Sequence, residues 1–256
     1  MTRSKWDQRI RRADELAAEY PFAADVLRFY RHVARLQKDL YAGLAGVGND
    51  LSLLVPRFPD FLESVAAAAP DPLAQCARDL GERAPADWVA ALESFWRDAP
   101  QFQPAPGRTA ELLACMFLQP YAEYLADHSE PAPPRETFCT CPFCRARPLA
   151  GVLRPEGDGG KRSLICSFCA TEWDIGRMVC AACGEQTVEK LAVYTAEQFP
   201  HVRVEACDTC RYYIKTVDLT KNGHAVPVVD ELATIPLNLW AREHAYVKLR
   251  GNLLGI

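Results

Sequence analysis

The chain carries little net charge, a formal −4 over 256 residues, too small a balance to point to nucleic acid, a membrane surface or an acidic substrate. It has no apolar run approaching the ~18 residues that a membrane span requires. Its opening residues, Met1-Thr2-Arg3-Ser4-Lys5-Trp6-Asp7, lack the apolar core of a secretory signal. A cytoplasmic protein without membrane insertion is therefore expected. From Trp6 to His128 there is no Ser–His–Asp pattern, no His-Glu-x-x-His and no glycine-rich phosphate loop, so nothing in that half points to hydrolysis or nucleotide binding. The cysteine-bearing stretch 139–225 also lacks a basic excess, with 11 basic against 10 acidic residues. A ribbon that grips nucleic acid normally carries a basic face, so no nucleic-acid partner is expected.

Cysteine is what the chain does have: 11 of them, eight in four Cys-x-x-Cys pairs. The pairs are Cys141/Cys144, Cys166/Cys169, Cys180/Cys183 and Cys207/Cys210. With no secretory signal, such doublets argue for metal in a reducing compartment rather than for disulfides. Two cysteines three apart chelate one cation from one turn, and a second doublet at the far end of a hairpin completes a tetrahedron. Twenty-one residues separate Cys144 from Cys166 and 23 separate Cys183 from Cys207. The two units start 39 residues apart, which reads as an internal duplication. In the first, Leu149 to Arg154 leads to a Pro-Glu-Gly-Asp-Gly-Gly turn at 155–160 and back along Arg162 to Cys166. In the second, Leu191, Val193 and Thr195 alternate before a turn near Phe199-Pro200 and a return through Val202 to Ala206. Both read as half-buried antiparallel strands. Two metal ions, iron of the rubredoxin type or zinc, are expected, paired first doublet with second and third with fourth. Only ten residues separate Cys169 from Cys180, which leaves a cross-braced pairing as the rival. A thioredoxin-like dithiol would need a βαβ setting that is missing here. Four thiolates per ion leave no open coordination position, so hydrolytic metal catalysis, and an enzyme in general, is not expected. Cys139, just before the first doublet, reads as a free thiol or as a spare ligand for the first site.

The rest of the chain reads as helices. Asp7 to Glu19 is stopped by Pro21, and Phe22, Val26, Phe29, Val33, Leu36, Leu40 and Leu44 form one apolar stripe that ends at Gly43, Gly46, Gly48 and Asn49. Pro56 to Ala68, Asp71 to Gly81, Asp87 to Asp98 and Thr109 to His128 follow, the last with Thr109 as candidate N-cap and Pro120 as a kink. Cys76 and Cys115 read as small buried residues. A final helix is predicted from Pro236 to about Arg250. The fold class is thus α+β, in five parts: a helical domain over 1–130, a proline-rich linker over 131–138, metal modules over 139–179 and 180–225, and a C-terminal helical segment over 226–256.

The contexts of the doublets are more specific than the doublets themselves. Cys141-Pro-Phe-Cys144, Leu164-Ile-Cys166-Ser-Phe-Cys169-Ala-Thr-Glu172-Trp173, Val179-Cys180-Ala-Ala-Cys183-Gly184, Arg203-Val-Glu-Ala-Cys207-Asp-Thr-Cys210-Arg-Tyr-Tyr-Ile-Lys215 and Asp230-Glu-Leu-Ala233 together resemble the formate dehydrogenase accessory protein FdhE family. The resemblance covers about 141–256. It implies a non-catalytic cytoplasmic protein needed to mature formate dehydrogenase, with a helical domain, two rubredoxin-like modules that bind iron, and the dehydrogenase's catalytic subunit as partner. Two departures stand out. Arg145 follows Cys144 where such knuckles often carry the glycine that Gly184 keeps, and Cys139 lies outside the family's four pairs. Two other function classes fit the doublets alone: a zinc-ribbon nucleic-acid or ribosome-associated protein using Arg145, Arg147, Arg154, Lys161, Arg162, Phe143 and Phe168, and a rubredoxin-like electron carrier.

Overall fold

The computed structural model describes residues 4–45, 50–105, 107–130, 139–157 and 159–256. The expected linker at 131–138, Gly46, Gly48 and Asn49 of the expected helix stop, and Asp158 of the expected turn lie outside them.

Among the described residues six helices come first: α1 (Lys5–Glu19), α2 (Ala24–Ala42), α3 (Phe58–Ala66), α4 (Asp71–Gly81), α5 (Pro85–Asp98) and α6 (Thr109–His128). Their starts follow local chemistry. The Ser4 hydroxyl accepts the Asp7 N–H at 3.2 Å, capping α1. Proline in the first turn of α3, α4 and α5 removes an amide that no helical carbonyl would have accepted. Thr109 is not a cap: it is the first helical residue of α6, and Arg108 before it makes no side-chain capping bond. Helix α6 is buried nearly all round, as a central helix must be.

Pro120 sits inside α6, which continues through it to His128. Proline has no N–H for the Met116 carbonyl four residues back. The Gln37 amide of α2, itself buried, donates to that carbonyl at 2.8 Å. The freed acceptor is thus satisfied from a neighbouring helix.

The stripe expected on α2 is rotated. The buried line is Leu27, Tyr30, Val33, Ala34, Gln37 and Leu40, while Phe22 lies before the helix, 49% exposed, with its ring against Tyr20 and Phe199. Apolar residues lie on more than one face of α2, and packing against α1 and α6 decides which face is buried.

The strands are β1 (Pro148–Glu156), β2 (Gly159–Cys166), β3 (Glu172–Asp174), β4 (Leu191–Thr195), β5 (Val202–Cys207) and β6 (Tyr212–Asp218), followed by α7 (Pro227–Ala233), α8 (Ile235–Glu243) and β7 (Val247–Lys248). Among the described residues they make one seven-stranded sheet, ordered β3-β2-β1-β6-β5-β4 with β7 beside β6. The two hairpins are therefore joined: β1 and β6 pair in parallel, with Gly151 opposite Thr216. A Cβ on Gly151 would stand 2.2 Å from the Thr216 Oγ1, so glycine is what allows the two hairpins to meet there.

The last helix is shorter than predicted. α8 ends at Glu243, with the Tyr246 N–H on the Ala241 carbonyl (2.9 Å) and the Ala245 N–H on that of Arg242 (3.0 Å). Ala245 is left-handed at φ 59°. This is a Schellman stop made without glycine. The chain then extends along β6, Val247 N–H bonding the Arg211 carbonyl at 2.8 Å.

One cluster of buried apolar residues runs without interruption from Leu16, Leu27 and Phe117 of the helices to Cys166, Phe168, Val204 and Leu232. Phe168, beside Cys169, lies 6.0 Å from Phe95 and 5.7 Å from Trp96, ring centre to ring centre. The helical layer thus packs directly on the Cys166/Cys169 doublet.

Candidate metal centres

Each doublet lies at a reversal of the chain beside a strand. The residue after its second cysteine is left-handed in all four: Arg145 (φ 67°), Ala170 (54°), Gly184 (78°) and Arg211 (61°). This bend turns the backbone back so that the Arg145, Gly184 and Arg211 amides bond the carbonyls of Cys141, Cys180 and Cys207 at 3.1, 3.0 and 2.8 Å. Glycine takes this conformation at no cost, and other residues pay ~1 kcal/mol or more. The departure at Arg145 is thus a strained position, and Ala170 and Arg211 share it. Amides also point at sulfur: Phe168 and Cys169 at the Cys166 Sγ (3.4 and 3.5 Å) and Ala182 at the Cys180 Sγ (3.3 Å). Such bonds favour thiolate over thiol.

The eight sulfurs gather in two groups, Cys141/Cys144/Cys166/Cys169 and Cys180/Cys183/Cys207/Cys210, every ligand atom within 4.8 Å of the others in its group. The first doublet is with the second and the third with the fourth, not cross-braced. The sulfurs are 3.5 Å apart for Cys141–Cys169, 3.3 Å for Cys144–Cys166, and 3.8 Å for both Cys180–Cys210 and Cys183–Cys207. A disulfide would need ~2.05 Å. A tetrahedron with metal–sulfur bonds of ~2.3 Å has edges of ~3.8 Å. The spacing and the all-sulfur donor set therefore fit one metal ion in each group.

The electrostatics point the same way. In the first group the Cys141 thiol is held far below its ordinary value by hydrogen bonds from Cys144, Cys166 and Cys169, whereas burial drives Cys166 far above it. Burial also raises Cys180, to about 11. Four thiols this close cannot all ionise beside one another, and a cation among them removes that conflict. The groups differ in exposure: Cys141, Cys166 and Cys169 are buried in the first and Cys180 and Cys207 in the second, whose Cys183 is exposed.

Cys139 is not where its place in the sequence suggests. Its Sγ donates to the Cys180 carbonyl at 3.7 Å, beside the second group. Cys76 is half-buried and Cys115 fully buried, its thiol pushed up to about 12 by burial. The arginines and aromatics that would make a nucleic-acid surface are largely engaged elsewhere. Arg154 binds Glu172 through both nitrogens (2.8 and 2.6 Å), Lys161 pairs with Asp174 (2.7 Å), Arg162 is buried on Glu205, and Phe168 lies in the core.

Sequence reading missed a buried ionic network beneath the sheet. Lys215 of β6, fully buried, pairs with Glu231 of α7 at 3.0 Å and donates to the Glu231 and Thr234 carbonyls at 2.5 and 3.2 Å. Lys248 reaches the same carboxylate at 2.5 Å and Asn252 at 3.1 Å. Next to it, Arg12 of α1 grips Asp230 through two bonds of 3.0 and 2.6 Å, and His201 pairs with Asp230 at 2.8 Å. Burial would raise both carboxyls. The bonds from His201 and Arg12 outweigh it at Asp230, and the attraction of Lys215 and Lys248 holds Glu231 at about 2. One signal was available: Lys215 alternates with Tyr213 and Val217 on the strand face that an apolar core should cover.

Comparison with known proteins follows this architecture. Residues 140–177 match the model described as "FdhE, central domain" and 178–254 the one described as "FdhE, C-terminal domain". A protein described as "Protein FdhE homolog" from Aquifex aeolicus is 32% identical over 140 residues, 54% of this chain and 50% of that protein. Another from Stutzerimonas stutzeri is 34% identical over 202 residues, 77% of this chain. The matches span half of the first relative and 61% of the second. The crystal structure of the FdhE protein from Pseudomonas aeruginosa superposes over 99% of this chain and 97% of its own, with a TM-score of 0.72 and 25% identity.

Proposed function

We propose, from the membership of residues 140–254 in the FdhE family, that this chain is a non-catalytic maturation factor for formate dehydrogenase. It docks on the catalytic subunit in the cytoplasm and carries one metal ion in each tetra-cysteine group, iron or zinc.

The observation that carries this reading is the closed, all-sulfur donor set of both groups on a single sheet. Each ion would be held by Cys141, Cys144, Cys166 and Cys169, or by Cys180, Cys183, Cys207 and Cys210. Bound there, it supplies folding free energy and, if it is iron, a one-electron couple; tetrahedral sulfur suits either metal. With four thiolates around it no position is left for water or substrate, which supports a binding role over a hydrolytic one. The side chains of this chain then do the holding. The knuckle amides orient the sulfurs, the Lys215–Glu231 pair ties the sheet to α7, and the Arg12–Asp230 pair ties α7 to α1.

Deleting the gene in a formate-oxidising host tests the reading. Formate dehydrogenase activity is expected to fall to background while the catalytic subunit is still synthesised. Unchanged activity would end it.

A further inference from the structure

A cleft of about 510 Å³ opens on the face of the sheet away from the helices, beside the second sulfur group, with Cys180 and Cys207 in its wall. That volume is in the range of built binding sites. Its lining includes apolar Leu191, Ile214 and Leu249, and two large apolar side chains stand at it unprotected: Met178, 41% exposed, and Val193, 50% exposed.

Strand β4, which bears Val193, ends the sheet, and among the described residues its outer edge pairs with no other strand. An unpaired edge with an exposed apolar side chain is a template for a further strand.

The charge of the cleft runs against that of the chain. Among the described residues three guanidiniums, of Arg162, Arg177 and Arg203, face two carboxylates, of Glu205 and Asp218, in a chain of net charge −4. Both Glu205 oxygens are already taken, Oε2 by Arg162 and Oε1 by Arg203, each at 2.6 Å. Asp218 accepts the Thr220 amide and hydroxyl on Oδ1 at 2.9 and 2.6 Å and keeps its charge, which leaves the cleft one positive charge in excess. Among the described residues Arg177 donates to the Gly160 carbonyl and has no carboxylate partner.

We propose that this cleft receives an extended, acidic segment of the partner protein, which lays an apolar side chain over Val193 and Leu191 and sets a carboxylate on Arg177. The inference rests on the docking reading above and names its site: the sheet face beside the second sulfur group, not the helical layer.

The test is the affinity of the metal-loaded full chain for the purified catalytic subunit of the host's formate dehydrogenase, by biolayer interferometry. It compares wild type with Val193→Asp, Arg177→Glu and, on α8, Leu239→Asp. All three positions are exposed or half-exposed, and thermal melting confirms that each variant folds. Val193→Asp and Arg177→Glu are each expected to weaken binding at least tenfold, and Leu239→Asp to stay within twofold. If wild type binds and both cleft variants bind within twofold of it, the inference is overturned and the docking reading stands. If wild type does not bind, the docking reading fails and the inference with it. If sedimentation shows instead that Val193→Asp dissociates a wild-type dimer while subunit binding persists, the cleft is a self-association surface and the inference is overturned.

Discussion

The Cys139 sulfur lies 3.7 Å from the Cys180 carbonyl, at the second sulfur group, although only Thr140 separates it from Cys141 of the first. Sequence adjacency made Cys139 a candidate spare ligand for the first site, and the fold places it beside the other one. In a Cys180→Ser/Cys183→Ser background, where only the first group is complete, adding Cys139→Ser is expected to leave the metal content per chain unchanged. A fall in metal content would return Cys139 to the first site.

Gly151 and Thr216 carry the junction between the two hairpins. Gly151→Ala places a methyl 2.2 Å from the Thr216 hydroxyl, so β1 and β6 must separate or Thr216 must turn away. Overpacking of this kind costs ~1–3 kcal/mol. Urea unfolding should show that loss, and Thr216→Ala in the same chain should recover part of it. A Gly151→Ala variant as stable as wild type would mean that the strands give way freely there.

Gln37 and Pro120 should be energetically coupled. Gln37→Leu leaves the Met116 carbonyl buried without a donor, which costs ~1–3 kcal/mol. In a Pro120→Ala background the helix supplies its own N–H, so the same change should cost about 1 kcal/mol less. A double-mutant cycle reads this directly, and additivity within ~0.3 kcal/mol would contradict the assignment.

Glu231 sets a pH dependence. Its folded-state value, about 2, lies below the ordinary 4.5. The stability it contributes is complete above about 4.5 and is lost as pH falls through the folded value. Glu231→Gln should destabilise the fold at pH 7, because burial already lowers Lys215 to about 7 and Glu231 is the carboxylate that favours its charged form. It should also flatten the fall in stability below pH 4.5. Urea unfolding of both proteins across pH 2–7 isolates this carboxyl from the cysteines, which titrate in both. Parallel curves would contradict the account.

Much of this molecule was legible in its sequence, for identifiable reasons. Helix starts followed proline and serine chemistry, and the doublet spacing anticipated which sulfurs would meet, because both depend on neighbours a few residues away. The rest depended on distant partners. Nothing in the alternation of β1 or β6 announces that Gly151 will pair with Thr216, 65 positions later in the chain. The face that α2 buries is chosen by α1 and α6. The early end of α8 rests on Ala245 adopting a left-handed turn that its own side chain disfavours. Lys215 was visible as a charge on an apolar strand face, but its partners Glu231 and Lys248 come from elements whose positions only the fold supplies.

The central claim, two closed metal sites on one sheet, is tested most directly by native mass spectrometry of the anaerobically purified chain. The account predicts a mass excess of two metal ions for the wild type. It predicts one for Cys141→Ser/Cys144→Ser and one for Cys180→Ser/Cys183→Ser. A wild type carrying one ion or none, or a single doublet change that empties both sites of a chain still folded by circular dichroism, would contradict it.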